Sequence, residues 1–214
     1  MARLSPLIAL VLSALLVSGQ AQAQASDGEA MSQSTQDYFK GEKHVSGIGF
    51  MSLGAASVGL SGAFLAGDSD RRKGIAYVFL PLGVVELIVG AVVFFRTDAQ
   101  VGKLEAQMAD DPAAFREAEQ ARMKKVVESF EWLKAAEIVI FVVGVGVALT
   151  GKFDDNLVLE GIGQGMAEQA ASIFVLDLLA DWRAQLYVEA LESFDPTEAS
   201  APHRAPFLSL STRF

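Results

Sequence analysis

Five carboxylates fall inside or at the edge of long apolar runs: Glu86, Glu137, Glu160, Glu168 and Asp177. An aspartate at the centre of a lipid-buried helix costs about 2.5–3.5 kcal/mol on an insertion scale, so such groups face a bundle interior or a wet cavity. No Lys, Arg or His lies within the runs to neutralise them. Glu160, Gln164, Glu168 and Ser172 recur at four-residue steps, which makes one polar stripe along a helix face. Asp177 lies off that stripe, and Glu137 and Asp177 are both near the ends of their runs. Two chemistries fit these residues. Protonatable groups in series make a proton or cation path, with Glu86 and Glu168 central and Glu160 and Asp177 towards its ends. Alternatively, acids and amides hydrogen-bond between helices and specify their packing. The second is favoured, because ion carriers ordinarily have more spans or broken helices.

Other chemistries find no residues. The chain has no cysteine, and its two histidines, His44 and His203, are far apart. This excludes thiol catalysis, disulfides and Cys-based metal sites, and it leaves no His-based metal motif. Gly47-x-Gly49 and Gly144-x-Gly146 lack the rest of a dinucleotide fingerprint. Ser57 and Ser61 have no Lys or His nearby in sequence and suit bonds to their own helix backbone. No enzymatic signature and no cofactor follow. The net charge of −9 without an offsetting basic patch excludes a nucleic-acid partner.

The elements that must position the carboxylates are four apolar runs at 45–66, 75–95, 135–150 and 157–180. Hydrophobic residues make up 51% of the chain, and mean hydropathy is positive. About 20 apolar residues cross a ~30 Å hydrocarbon core as a helix, so the expected solvent is lipid. Residues 1–25 read as a cleavable signal peptide, with Arg3, an apolar region at 7–17 and overlapping A-x-A sites at Ala21, Ala23 and Ala25. An exported N-terminus then places the tight loop bearing Arg71-Arg72-Lys73 in the cytoplasm, as the positive-inside rule requires. Phe94-Phe95, Trp132 and Trp182 share the opposite boundary. Lys103, Lys134 and Arg96 on that side weigh against the orientation.

Between and beyond the runs the sequence is more polar. Residues 26–44 form an exported segment whose first part, 26–36, reads as unstructured. The connector 96–134 is helical. Asp111-Pro112 is a strong helix start, and Phe115, Met123, Val126, Phe130 and Leu133 form an apolar stripe behind it. With no later Gly or Pro before Gly144, one helix from 112 to 150 is expected. Residues 181–194 form an amphipathic helix ending at Asp195-Pro196. The tail 195–214 reads as disordered, and Phe214 with its carboxylate suits strand addition to an exported partner. Gly83-Val84-Val85-Glu86 and Gly165-Met166-Ala167-Glu168 hint at a duplicated hairpin. Gly161-x-x-x-Gly165, Ala55-x-x-x-Gly59 and Gly59-x-x-x-Ala63 suit close helix packing.

The expectation is therefore an all-α polytopic membrane protein with four transmembrane helices in two hairpins, 45–95 and 135–180. Its expected place is a bacterial inner membrane, with both termini and the 96–134 connector exported. The expected role is a scaffold, accessory or envelope component that binds a membrane partner or a second copy through its exported helices. The alternative is proton or cation translocation by the intramembrane carboxylates.

Overall fold

The computed structural model describes residues 27–199, and every element among them is helical. The expected signal peptide and most of the tail, up to Phe214, lie outside the described residues. Four long rods run alternately up and down. Rod 1 joins α1 (Asp27–Gly41), a π-helical stretch (Glu42–Ile48) and α2 (Gly49–Ala66) end to end. The other rods are α3 (Asp70–Asp110), α4 (Pro112–Phe153) and α5 (Leu157–Ser193), followed by the short α6 (Pro196–Ala199).

Local chemistry sets the turns. Ser69 caps α3 by accepting from Arg72 N at 3.5 Å. Asn156 caps α5 by accepting from Leu159 N at 3.0 Å. Asp111 is the whole connection between α3 and α4, and its carboxylate accepts from Ala113 N and Ala114 N at 3.1 and 3.0 Å. Each cap satisfies amide groups that a helix start leaves without partners. Pro112 then follows at the first helical position, where its missing N–H costs nothing.

Rod 1, α3 and α4 are long and apolar enough to cross a membrane. α5 is not among them, because Glu160, Gln164, Glu168, Gln169 and Asp177 dilute its apolar sequence. α5 is instead held by its neighbours, packing most extensively on α4 and also along α3. Small residues bring the backbones close. Gly54 faces Gly83 and Gly90 faces Gly47 between rod 1 and α3, Gly74 faces Gly161 between α3 and α5, and Gly144 faces Gly163 between α4 and α5. Without a hydrophobic drive between helices in lipid, such close approach is what packing needs. Gly161 and Gly165 serve at the α3–α5 contact, as expected of that pair. Gly59 does not serve so: a Cβ there would meet nothing within 4 Å, and the expected packing motif around it faces outwards.

The two ends of the rods differ. One half is apolar and carries exposed Val, Leu, Ile and Phe side chains, whereas the other closes on its own buried core. This second half, the head, buries Phe39, Phe115, Met123 and Leu191 completely. Tyr38 stacks on Tyr187 with ring centroids 4.5 Å apart, and Thr35 Oγ1 lies 3.1 Å from the Tyr187 hydroxyl. Residues 27–36 are not unstructured but belong to α1, whose Met31 and Thr35 are buried in this core. The apolar stripe of α4 is covered in its first half, with Phe115 and Met123 inside the head and Val126 and Phe130 partly buried, whereas Leu133 stays exposed. Residues 181–193 are no separate element but the last turns of α5. Arg116 Nη2 ties off that end by donating to the Glu192 carbonyl at 2.9 Å.

Candidate functional site

Three polar centres occupy the apolar half, and the candidate residues divide among them. The first joins three rods. Glu86 on α3 is 4% exposed and accepts from the Gln169 amide of α5. Gln169 also lies 3.4 Å from Ser57 of α2. Ser61 Oγ donates to the Ser57 carbonyl at 2.7 Å, the self-bonding expected of a helix serine. Ser57 itself looks across to the next rods. Glu86 Oε2 is buried without a partner.

The second centre is the stripe on α5. Gln164 Nε2 donates to Glu168 Oε1 at 2.6 Å, and Ser172 Oγ donates to the Glu168 carbonyl at 2.8 Å. Arg71, from the first turn of α3, donates to Gln164 Oε1 at 2.7 and 3.0 Å and lies 3.5 Å from Glu160. A cation therefore reaches the stripe although none lies within the apolar runs. The stripe borders a shallow groove of about 230 Å³ between α4 and α5. Glu168 is exposed and does not meet Glu86.

The third centre joins α4 and α5 near the head. The carboxyls of Glu137 and Asp177 lie close enough to interact, and both residues are buried. One turn away, Lys134 Nζ donates to Asp181 Oδ2 at 2.5 Å. Glu137 Oε2 and Asp181 Oδ1 have no partner. Among the described residues no cluster of His, Cys, Asp or Glu is arranged to hold a metal ion.

Three of these residues, Gln169, Lys134 and Asp181, were not singled out from sequence. Gln169 stands one residue beyond Glu168, so it points about 100° away around the helix, towards α3 rather than along the stripe. Its only signal was an amide among small residues. Lys134 and Asp181 sat at the edges of their runs, and forty-seven positions of sequence separate them. The centres can do two things chemically: fix the register of the rods through hydrogen bonds, and hold a proton between Glu137 and Asp177. Set against protein-family models, curated proteins and solved structures, the chain matches none of them.

Proposed function

We propose that this chain is an integral membrane protein of structural role, whose two hairpins cross the bilayer as four helices and hold a rigid helical head at one face. The reading favours a bacterial inner membrane with the head exported, and a scaffold, accessory or envelope task without enzymatic chemistry. The observation that carries it is the closure of Glu86, Gln169 and Ser57 on one another between three rods. Such a contact specifies packing and leaves no chain of groups leading to Glu168. It also supports α5 as the fourth crossing, since its polar residues find partners on neighbouring rods instead of lipid. A partner or a second copy would then engage the head from outside, because Phe115 and Met123 of the α4 stripe are spent on the head's own core.

The absence of native cysteine makes the test clean. Single cysteines at Ser69, Asp155 and Asp110 are labelled in intact cells with a membrane-impermeant maleimide. Four crossings require Ser69 and Asp155 to label only after lysis and Asp110 to label at once. Labelling of Ser69 and Asp155 from opposite faces would refute the two-hairpin arrangement.

A second reading, proton handling, is favoured by the buried Glu137–Asp177 pair with its unpartnered oxygen. In reconstituted vesicles a pH-gradient-driven flux that survives Glu86→Gln and Glu168→Gln but is lost in Glu137→Gln would establish it. No flux in the wild-type protein would dismiss it.

A further inference from the structure

We propose that the cavity where the four rods leave the apolar half binds the phosphoglycerol headgroup of an anionic membrane lipid. The inference rests on the membrane-spanning reading above. The cavity holds about 160 Å³, and all four rods contribute to its wall. Three guanidinium groups line it, from Arg96 of α3, Arg122 of α4 and Arg183 of α5, against the single carboxyl of Glu42. Burial pushes the Glu42 carboxyl up, although Arg96 and Arg122 oppose the shift. Arg122 is paired with Glu119, so Arg96 and Arg183 remain against Glu42; that balance still favours an anion, and guanidinium is the side chain best matched to phosphate oxygens.

The arginines are held to different degrees. Arg122 is locked by two bonds to Glu119, at 2.6 and 2.7 Å, and lies over the Phe39 ring. Arg183 lies flat on Gly41, where any Cβ would collide with its guanidinium, and donates to the Asp37 carbonyl at 2.5 Å. Its Nε has no partner. Arg96 is mostly exposed and reaches Glu42 only at 3.7 Å. On the same wall Glu42 Oε2 is also unpartnered. Both residues line the cavity, so a small turn of each side chain would offer a donor to an anionic phosphate and an acceptor to a hydroxyl of one ligand. The π-helical stretch begins at Glu42, and such widened turns recur at functional sites.

The walls are graded in a way that a soluble phosphate would not need. Rod 1 and α4 run from the head into the apolar half, so Val45 lies deeper than Glu42, and Val126 and Phe130 lie deeper than Arg122. α5 runs the other way, and Ala180 again lies deeper than Arg183. Ser46 beside Val45 apart, charge on the head side and apolar side chains on the membrane side match the polarity of a lipid from headgroup to chains.

The test uses the full chain, purified in a neutral detergent and mixed with equal amounts of phosphatidylglycerol, phosphatidic acid and phosphatidylcholine, with retained lipid read by native mass spectrometry. We expect one phosphatidylglycerol per chain, retained about tenfold over phosphatidylcholine, as a hydrogen bond to a charged group allows. Arg96→Gln, an exposed change that spares the fold, and Arg183→Gln should each reduce retention severalfold, whereas Arg72→Gln at the far end should not. Glu42→Gln should reduce the preference for phosphatidylglycerol over phosphatidic acid. Equal retention of phosphatidylcholine, or full retention in the Arg96→Gln/Arg183→Gln double variant, overturns the proposal. Displacement by soluble glycerol phosphate at equal concentration overturns the lipid source and assigns a soluble phosphate ester. A chain that stays in the aqueous phase without detergent fails the membrane reading before any lipid is added.

Discussion

Glu86 depends on Gln169, and the two residues respond differently to substitution. Gln169→Leu leaves a buried carboxyl without its donor, which costs about 1–3 kcal/mol in proteins generally. In membranes the measured worth of interhelical hydrogen bonds averages about 0.6 kcal/mol, so the expected loss lies at the low end. Unfolding of the purified protein in micelles checks it. Glu86→Gln keeps shape and hydrogen bonding and should shift stability far less. Glu168→Leu, at an exposed position in the apolar half, should leave the protein as stable or more so. A large loss there would mean that something outside the chain covers Glu168. In the head, Glu42 makes stability pH-dependent. Its ordinary value is 4.5, and burial holds it higher in the folded chain. Above that ordinary value the unfolded carboxyl releases its proton while the folded one retains it. This contribution is therefore fully present below the ordinary value and is lost as pH rises through the folded one. Glu42→Gln should flatten that part of the melting-temperature profile and raise the melting temperature at neutral pH.

Among the elements, the glycines separate packed faces from free ones. A Cβ at Gly54 would fall 2.5 Å from the Gly83 carbonyl, and one at Gly144 would fall 2.7 Å from Ala167 N. Gly54→Leu and Gly144→Leu should force the rods apart and lower stability, measured by micelle unfolding. Gly59→Ala and Gly62→Ala meet open space and should be neutral or gain up to about 1 kcal/mol from helix propensity. Equal losses at all four positions would contradict the interfaces described. The Asp111-Pro112 cap was legible in sequence, and Ser69 and Asn156, found in the structure, are local in the same way because each depends on neighbours along the chain. Ser69, Asp111-Pro112 and Asn156 carry their turns within three residues. α1 was not legible. Its Met31, Thr35, Tyr38 and Phe39 are too sparse to announce a helix, and its order comes from α3, α5 and the other contacts of the head.

At the scale of the molecule, length explains the head. α3 has 41 residues and α4 has 42. At 1.5 Å per residue each is roughly 60 Å long, twice a ~30 Å hydrocarbon core. On the membrane reading proposed above, half of each rod must find another way to bury its apolar side chains, and four such halves together make a core around Phe39, Phe115, Met123 and Leu191. Truncation of the tip by replacing 105–117 with a short Gly-Ser turn should abolish cooperative melting of the head. The apolar half should keep its helix content by circular dichroism.

The sequence by itself determined that residues 27–199 are mainly helical, where their turns fall and which half is apolar, because composition, capping and hydrophobic run length act locally. It also singled out five carboxylates of the apolar runs, though not Glu42 or Asp181 at their edges. Only the tertiary structure decided their partners: Glu86 with Gln169, Glu137 with Asp177, and Glu160 and Gln164 with Arg71. Spacing along one helix assigns residues to a shared face, but which neighbour covers that face depends on the approach of rods distant in sequence. That approach is set by small residues on both sides of each contact, so it has no local signature.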